Sequence, residues 1–278
     1  MTEPPSRDSK PALVVVGTPI GNLGDLSPRA VEALRSADVI CCEDTRHSRK
    51  LLTHASISGP RLVAVHEHNE AEQAERVVEW VAAGKRVALV TDAGMPAVSD
   101  PGERVVAAVI AAGLPVEIVP GPSAVLTALV LSGLPSDRFV FEGFLPRKGK
   151  ERAARLAAVA AEPRTTVIYE SPYRVAQTID DLAKACGPER RAAVARELTK
   201  LHEQVQRGTL GELDIGEPRG EYVIVVEGAP PAPQEVDVDA ALRRRLDAGD
   251  DKKTAVAAVA AELGVPKREV YAAALELG

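Results

Sequence analysis

Aromatic side chains are scarce. Three Phe, four Tyr and one Trp in 278 residues leave Val, Leu, Ile and Ala to fill the core. The same scarcity argues against extensive stacking on nucleobases. Cysteine is almost as rare: Cys41, Cys42 and Cys186 form no CxxC pair, so zinc and dithiol patterns are excluded. Cys41 and Cys42 follow an apolar run as small buried hydrophobes do, and sparing cysteine use fits a reducing compartment. Basic charge is not in excess. A formal net charge of −6 excludes a general nucleic-acid coat protein, so any RNA contact must come from local patches. No apolar run approaches the roughly 18 residues of a membrane span. Residues Met1 to Lys10 are polar and lack the apolar stretch of a secretory signal, which points to a disordered leader (1–10) on a cytoplasmic protein. Neither GxGxxG nor GxxxxGK[ST] occurs, which removes the dinucleotide and P-loop readings.

What is present is an alternation of short Val-rich runs with helix-like stretches. Leu13 to Val16, Val39-Ile40, Arg61 to Val65, Val87 to Val90 and Pro115 to Val119 read as buried strands of a mostly parallel sheet. Phe139 to Phe141, Thr165 to Tyr169, Ala192 to Ala195 and Tyr222 to Val226 repeat the pattern. The fold class is therefore α/β, with an N-terminal domain (11–119) and a C-terminal domain (120–228). Ser27-Pro28 starts one helix; Asn69 with Glu72, and Asp100 with Glu103, have capping-box spacing. After a Pro-rich linker (229–235), three short helices over 236–278 form either a helix-turn-helix-like module or a helical cap on the main body.

Chemistry-bearing residues collect at the ends of the strands. Gly17 to Ala30 leaves the first strand through a turn where backbone can approach a ligand. Glu43-Asp44-Thr45-Arg46-His47 sets acids, an arginine and a histidine at a strand end, where they are costly in a core and cheap at a cleft rim. Arg46 suits a phosphate, and Asp44 or Glu43 a hydroxyl. His66 and His68 have no evident third partner, so no metal site is expected. Thr91 to Gly102 is the most informative loop, and Gly121 to Ala124, Tyr169 to Arg174 and Arg196 to Lys200 repeat its placement. Basic stretches at Arg138 to Arg155, Arg243 to Arg245, Lys252-Lys253 and Lys267-Arg268 are candidate RNA contacts.

These segments, in this order, resemble the tetrapyrrole methylase superfamily, and within it the branch that methylates a cytidine ribose at its 2′-oxygen in the decoding region of small-subunit (16S) ribosomal RNA. The resemblance runs from Pro11 to Gly228 and continues at Lys252 to Ala255 and Val265 to Tyr271. It implies two unlike α/β domains, S-adenosyl-L-methionine in the cleft between them, and a homodimer. It also implies cofactor contacts from Asp92, Gly94, Met95 and Val98, from Ser123 and Ala124, and from Ser171, Leu198 and Tyr222. Placement at strand ends further nominates Asp44 or Glu203 to assist the hydroxyl, Arg46 and Lys200 to hold RNA phosphate, and Pro19 and Asn22 to face the RNA. The substrate is expected to be small-subunit rRNA or the assembled 30S subunit. Two other functions compete: a corrinoid or tetrapyrrole methylase, which gives no reason for Glu43 to Arg46 or the helical tail, and a non-catalytic ribosome-assembly RNA-binding protein.

Overall fold

The computed structural model describes residues 10–231 and 237–277, so the leader up to residue 9, the later part of the Pro-rich linker with the first residue of the expected helical segment (232–236), and residue 278 lie outside the described residues. Up to Ala229 the chain is one compact unit built on two five-stranded sheets. The first contains β1 (Ala12–Val16), β2 (Val39–Cys42), β3 (Arg61–Ala64), β4 (Arg86–Leu89) and β5 (Val116–Val119) in the order β3-β2-β4-β1-β5. All its pairings are parallel, as expected for strands with apolar residues facing both ways. Alternate residues divide between two cores. Ala12, Val14 and Val16 pack with α1 (Pro28–Arg35) and α2 (Thr45–His54). Leu13 and Val15 pack with α3 (Glu70–Ala82) and α4 (Glu103–Ala111).

The second sheet contains β6 (Phe139–Phe144), β7 (Thr165–Glu170), β8 (Arg191–Arg196), β9 (Gln204–Thr209) and β10 (Tyr222–Val226), ordered β6-β7-β10-β8-β9. Only β6 and β7 are parallel; β10 runs antiparallel to both β7 and β8. Strand β9 has no counterpart in the sequence reading, because Gln204, Gln206 and Arg207 interrupt any apolar pattern on this edge strand. One face of the sheet carries α6 (Gly149–Ala161) and α7 (Val175–Cys186), and the other carries α5 (Ala124–Ser132). Ile20, from the loop after β1, is buried in the core beneath α5 and so ties the two sheets together.

Two expected caps are replaced. Asn69 makes no side-chain cap to α3; its carboxamide instead accepts from the His66 N–H and donates to the Ala64 carbonyl. Helix α4 begins after Gly102, not at an Asp100 cap, and Ile110 faces solvent, leaving Val105 and Val109 as its buried face. In the basic stretch after β6, Arg152 is buried in an ion pair with Asp181 at 2.8 Å and so cannot serve an RNA surface.

From Pro230 onward the chain forms a separate unit. Helices α8 (Val238–Asp247), α9 (Lys252–Leu263) and α10 (Lys267–Glu276) enclose their own core of Leu242, Val256, Val259 and Val270. Asp251 caps α9, and left-handed Gly264 ends it before the turn into α10. Arg244 and Arg245 both pair with Glu262, so that basic run is partly neutralised.

Candidate active site

The loops after β1, β4 and β5 are locked together by backbone. Gly17 and Gly121 lie so close that a Cβ on Gly121 would sit 2.7 Å from the Gly17 carbonyl carbon. The Thr18 N–H donates to the Gly94 carbonyl at 2.8 Å, and the Gly94 N–H returns a bond to Thr18. The Thr18 hydroxyl donates to the Thr91 carbonyl. In the loop that leaves β4, Gly94 (φ 82°), Ala97 (φ 68°), Ser99 (φ 60°) and Gly102 (φ 133°) adopt left-handed or related conformations. Non-glycine residues hold such angles only where their surroundings fix them, and they cluster at functional sites. The Ala97 N–H donates to the Pro101 carbonyl within this loop, and buried Glu70 of α3 holds the end of the loop by accepting from the Gly102 and Arg104 N–H groups at 2.8 and 2.9 Å. Because Glu70 caps α4, Asp100 is released to line a cavity.

The opposite wall comes from the second sheet and relies on side chains. Glu170 ends β7 fully buried, accepting from the Ser171 N–H, from the Thr178 hydroxyl at 2.7 Å and from Arg174 at 3.1 Å. After β8 the chain turns sharply through Glu197 (φ 51°) and Thr199 (φ 66°), with the Glu203 carboxylate accepting from the Thr199 N–H at 2.7 Å. Lys200 pairs with Glu197 at 2.8 Å. Antiparallel β10 brings its amino end, Glu221 and Tyr222, to the same place as the carboxyl ends of β7 and β8.

Between the walls lies a cavity of about 500 Å3. This is inside the range of about 300–1,000 Å3 usual for small-molecule sites. The structure brings Asp92, Gly94, Met95, Val98, Ser123, Ala124, Ser171, Leu198 and Tyr222 together on its surface, joined by Ile20, Phe144 and Tyr169. Its charge is lopsided. Glu43, Asp92, Asp100, Glu170, Glu197 and Glu221 line it against Lys200 as the one lining lysine or arginine. Glu170 and Glu197 have cationic partners, whereas Glu43, among the described residues, accepts from the Thr91 hydroxyl alone. Burial, then the neighbouring Glu43 charge, with smaller contributions from Glu221 and Asp92, pushes the Asp100 carboxyl up to about 7 against the pull of its hydrogen bond with Thr91. Burial, with Asp100 adding to it, likewise raises the Tyr169 phenol to about 12. A surplus of carboxylates beside small-residue backbone and apolar patches suits a positively charged ligand with hydroxyl groups and some apolar surface.

Of the other expected site residues, all but Lys200 fall outside this lining. Asp44 caps α2 by accepting from the Arg46 N–H at 2.7 Å, and the Arg46 guanidinium grips the same carboxylate at 2.6 Å. That guanidinium holds the Asp44 carboxyl well below the usual carboxylate range. Glu203 is engaged with Thr199, as described. Pro19 is buried, sitting between Thr18 and core residue Ile20, and so offers no face to RNA. Asn22 is exposed, with its carboxamide oxygen turned back onto the Gly24 N–H. Lys200 lines the cavity, and exposed Arg46 stands outside it. Asp100, Glu170, Glu197 and Glu221 were not singled out from sequence. Asp100 was hidden by its resemblance to a helix cap, and Glu221 immediately precedes a strand whose direction no local pattern reveals.

A family model described as Tetrapyrrole (Corrin/Porphyrin) Methylases matches residues 12–214. The chain is 53% identical over 223 residues to "Ribosomal RNA small subunit methyltransferase I" of Xylella fastidiosa, covering 78% of this chain and 81% of that one. It is 43% identical over 273 residues to the protein of the same name in Synechocystis, covering 95% and 98%. Among solved structures, the uroporphyrin-III C-methyl transferase of Thermus thermophilus, complexed with S-adenyl homocysteine, superposes with a TM-score of 0.54. It is 21% identical, with 77% of this chain and 96% of that one covered.

Proposed function

The chain belongs to the tetrapyrrole methylase family, and from that membership we propose that it methylates small-subunit ribosomal RNA at the 2′-oxygen of a cytidine ribose in the decoding region. It is an S-adenosyl-L-methionine-dependent ribosomal RNA methyltransferase, in keeping with the names of relatives that span most of its length. The observation that carries the reading is the cavity itself, where both sheets converge and carboxylates outnumber cations. The cofactor, when bound, supplies an activated methyl group. Asp100 and Glu43 would meet its positive charge and hydroxyls, Gly94 and Ala93 would offer backbone, and Met95, Val98 and Leu198 would cover its apolar surface. Ser123, Ala124, Ser171 and Tyr222 would complete the contacts. Asp92 contributes with its carboxylate already shared between the Asp44 N–H and His47.

With the leaving group supplied by the cofactor, the protein has to position the 2′-oxygen and manage one proton. Positioning is worth about 7–11 kcal/mol. A general base adds a factor of about 10²–10⁴, or roughly 3–5 kcal/mol. Asp44 and Glu203, nominated for that proton, already accept backbone N–H groups, so we assign them to holding the 44–47 and 197–203 segments in shape. Arg46, exposed and aligned by Asp44, and Lys200 remain the phosphate contacts, and Asn22 stays on the RNA side. We read 11–119 and 120–228 as two domains sharing the cofactor, the assembled 30S subunit as substrate, and the cytoplasm as the setting. A homodimer accounts for α5, whose Leu126 and Val130 are exposed while Val125 and Leu129 are buried.

The test offers methyl-labelled cofactor with assembled small subunits, naked 16S RNA or a tetrapyrrole, followed by mapping of ribose methylation. Label at one cytidine ribose of the subunit is expected. Transfer to the tetrapyrrole alone overturns the reading, and cofactor binding without transfer to any acceptor favours a non-catalytic assembly factor. Light scattering of wild type and Val130→Arg checks the dimer, which the charge should dissociate.

A further inference from the structure

At the mouth of the cavity, His47 Nδ1 lies 2.8 Å from Asp92 Oδ2. Asp92 is itself fixed, because its other oxygen accepts from the Asp44 N–H. A carboxylate only accepts, so in the neutral imidazole this contact places the proton on Nδ1 and makes Nε2 the acceptor. The His47 side chain is 58% exposed, in the first turn of α2, next to Arg46, whose side chain is 86% exposed and whose guanidinium is held by Asp44. One carboxylate thus orients the histidine from the cavity side while another orients a phosphate-binding arginine one residue away. Nucleophile activation elsewhere uses the same logic: a base within reach of the hydroxyl and a third group that fixes the base. Glu43, Asp100 and Glu221 are weaker candidates for this proton, because they line the cavity that the cofactor fills, whereas His47 stands outside it.

We propose that His47, oriented by Asp92, is the catalytic base that takes the proton from the ribose 2′-hydroxyl; the inference rests on the RNA methyltransferase reading above. As the oxygen lone pair forms the new bond to the methyl carbon, the O–H proton passes to Nε2. The electron pair of the broken carbon–sulfur bond stays on sulfur. The imidazolium then releases its proton to water. Asp92 acts as a positioning residue, since its loss frees the ring to rotate and to exchange tautomers.

The experiment uses the full chain with assembled small subunits. Single-turnover methylation is measured for wild type, His47→Gln, His47→Ala and Asp92→Asn, alongside cofactor affinity by calorimetry. His47→Gln and His47→Ala should slow the methyl-transfer step by about 10²–10⁴-fold. Cofactor affinity should stay within about threefold for the His47 variants, and added imidazole should restore part of the rate to His47→Ala alone. Independently of turnover, carboethoxylation of wild-type His47, read by mass spectrometry, should be blocked by the small subunit and not by the cofactor product. A His47→Gln rate equal to wild type, a slow His47→Ala that imidazole does not rescue, or undiminished modification of His47 in the complex each overturns the proposal. If wild type itself methylates no ribosomal particle, the underlying function has failed, and the two failures are told apart.

Discussion

Where the loops after β1, β4 and β5 meet, backbone lies against backbone, with Gly17 pressed on Gly121 and Thr18 paired to Gly94. Across the cavity, the loops after β7 and β8 are held by charged side chains: Glu170 gathers Ser171, Thr178 and Arg174, and Glu203 holds Thr199. The difference follows from the sheets. In the all-parallel first sheet the carboxyl ends of neighbouring strands lie side by side, and their loops fit only if residues at the crossings lack side chains. In the mixed second sheet, antiparallel β10 separates β7 from β8, which opens room that side chains fill. The comparison teaches that one wall should be broken by adding atoms and the other by removing them.

The largest effect is expected on the side-chain wall. Glu170→Ala leaves Arg174 and Thr178 facing a vacated buried site, and should cost about 3–5 kcal/mol. By thermal denaturation that is a fall in Tm of roughly 10 °C. A loss below 1 kcal/mol would show that the second wall does not depend on its carboxylate. The converse experiment adds one methyl group to the backbone wall. Gly121→Ala puts a Cβ against the Gly17 backbone, which cannot swing aside, and should cost about 2–3 kcal/mol and weaken cofactor binding. Gly208→Ala in β9 meets nothing nearer than 3.6 Å and should change stability by less than about 0.5 kcal/mol. Equal losses at the two glycines would remove the distinction.

The first wall has one side-chain support, and it tests how far the contrast extends. Glu70→Ala unpairs the Gly102 and Arg104 N–H groups, one buried and one part-buried, for an expected loss of about 1–2 kcal/mol. That is less than the loss from Glu170→Ala, because no cation loses its carboxylate partner. Hydrogen exchange should show the 97–104 segment opening locally in this variant while the second sheet stays protected. A Glu70→Ala loss exceeding that of Glu170→Ala would reverse the assignment of roles.

The same contrast explains what could be read from sequence. The strands of the first sheet announce themselves as apolar runs because both faces are buried, and a glycine-rich loop after a buried strand marks its wall. The nine residues that meet at the cavity were named through the family resemblance that the ordered motifs carry, not from any one motif by itself. Strand β9 was not, since an edge strand with polar residues carries no apolar signature. Partner choice was also hidden. Asn69 and Asp100 have the spacing of caps, but Glu70, a long carboxylate from the neighbouring helix, does the work at α4. The pairing of His47 with Asp92 spans 45 residues and depends on β2 and β4 being neighbours, which no local pattern specifies.

Asp100 supplies the smallest effect and the one that joins the walls, since the charges acting on it come from Glu43 and Asp92 on one side and Glu221 on the other. Its carboxyl is pushed from 3.8 to about 7, so between those values the folded protein binds a proton that the unfolded chain has lost. A carboxyl raised in this way is most compatible with folding at low pH, and stability falls as pH rises from about 4 through 7. Asp100 keeps contact with the open cavity, so solvent screens the effect to about 1 kcal/mol. Asp100→Asn should therefore be more stable than wild type at pH 8 by that amount and indistinguishable from it near pH 4. Denaturant midpoints across pH 4–8 provide the measurement. Introducing Glu221→Gln from the opposite wall should recover part of the gain, because it removes one of the charges that Asp100 opposes. A flat pH dependence in wild type would mean that the two walls do not share an electrostatic field at this residue.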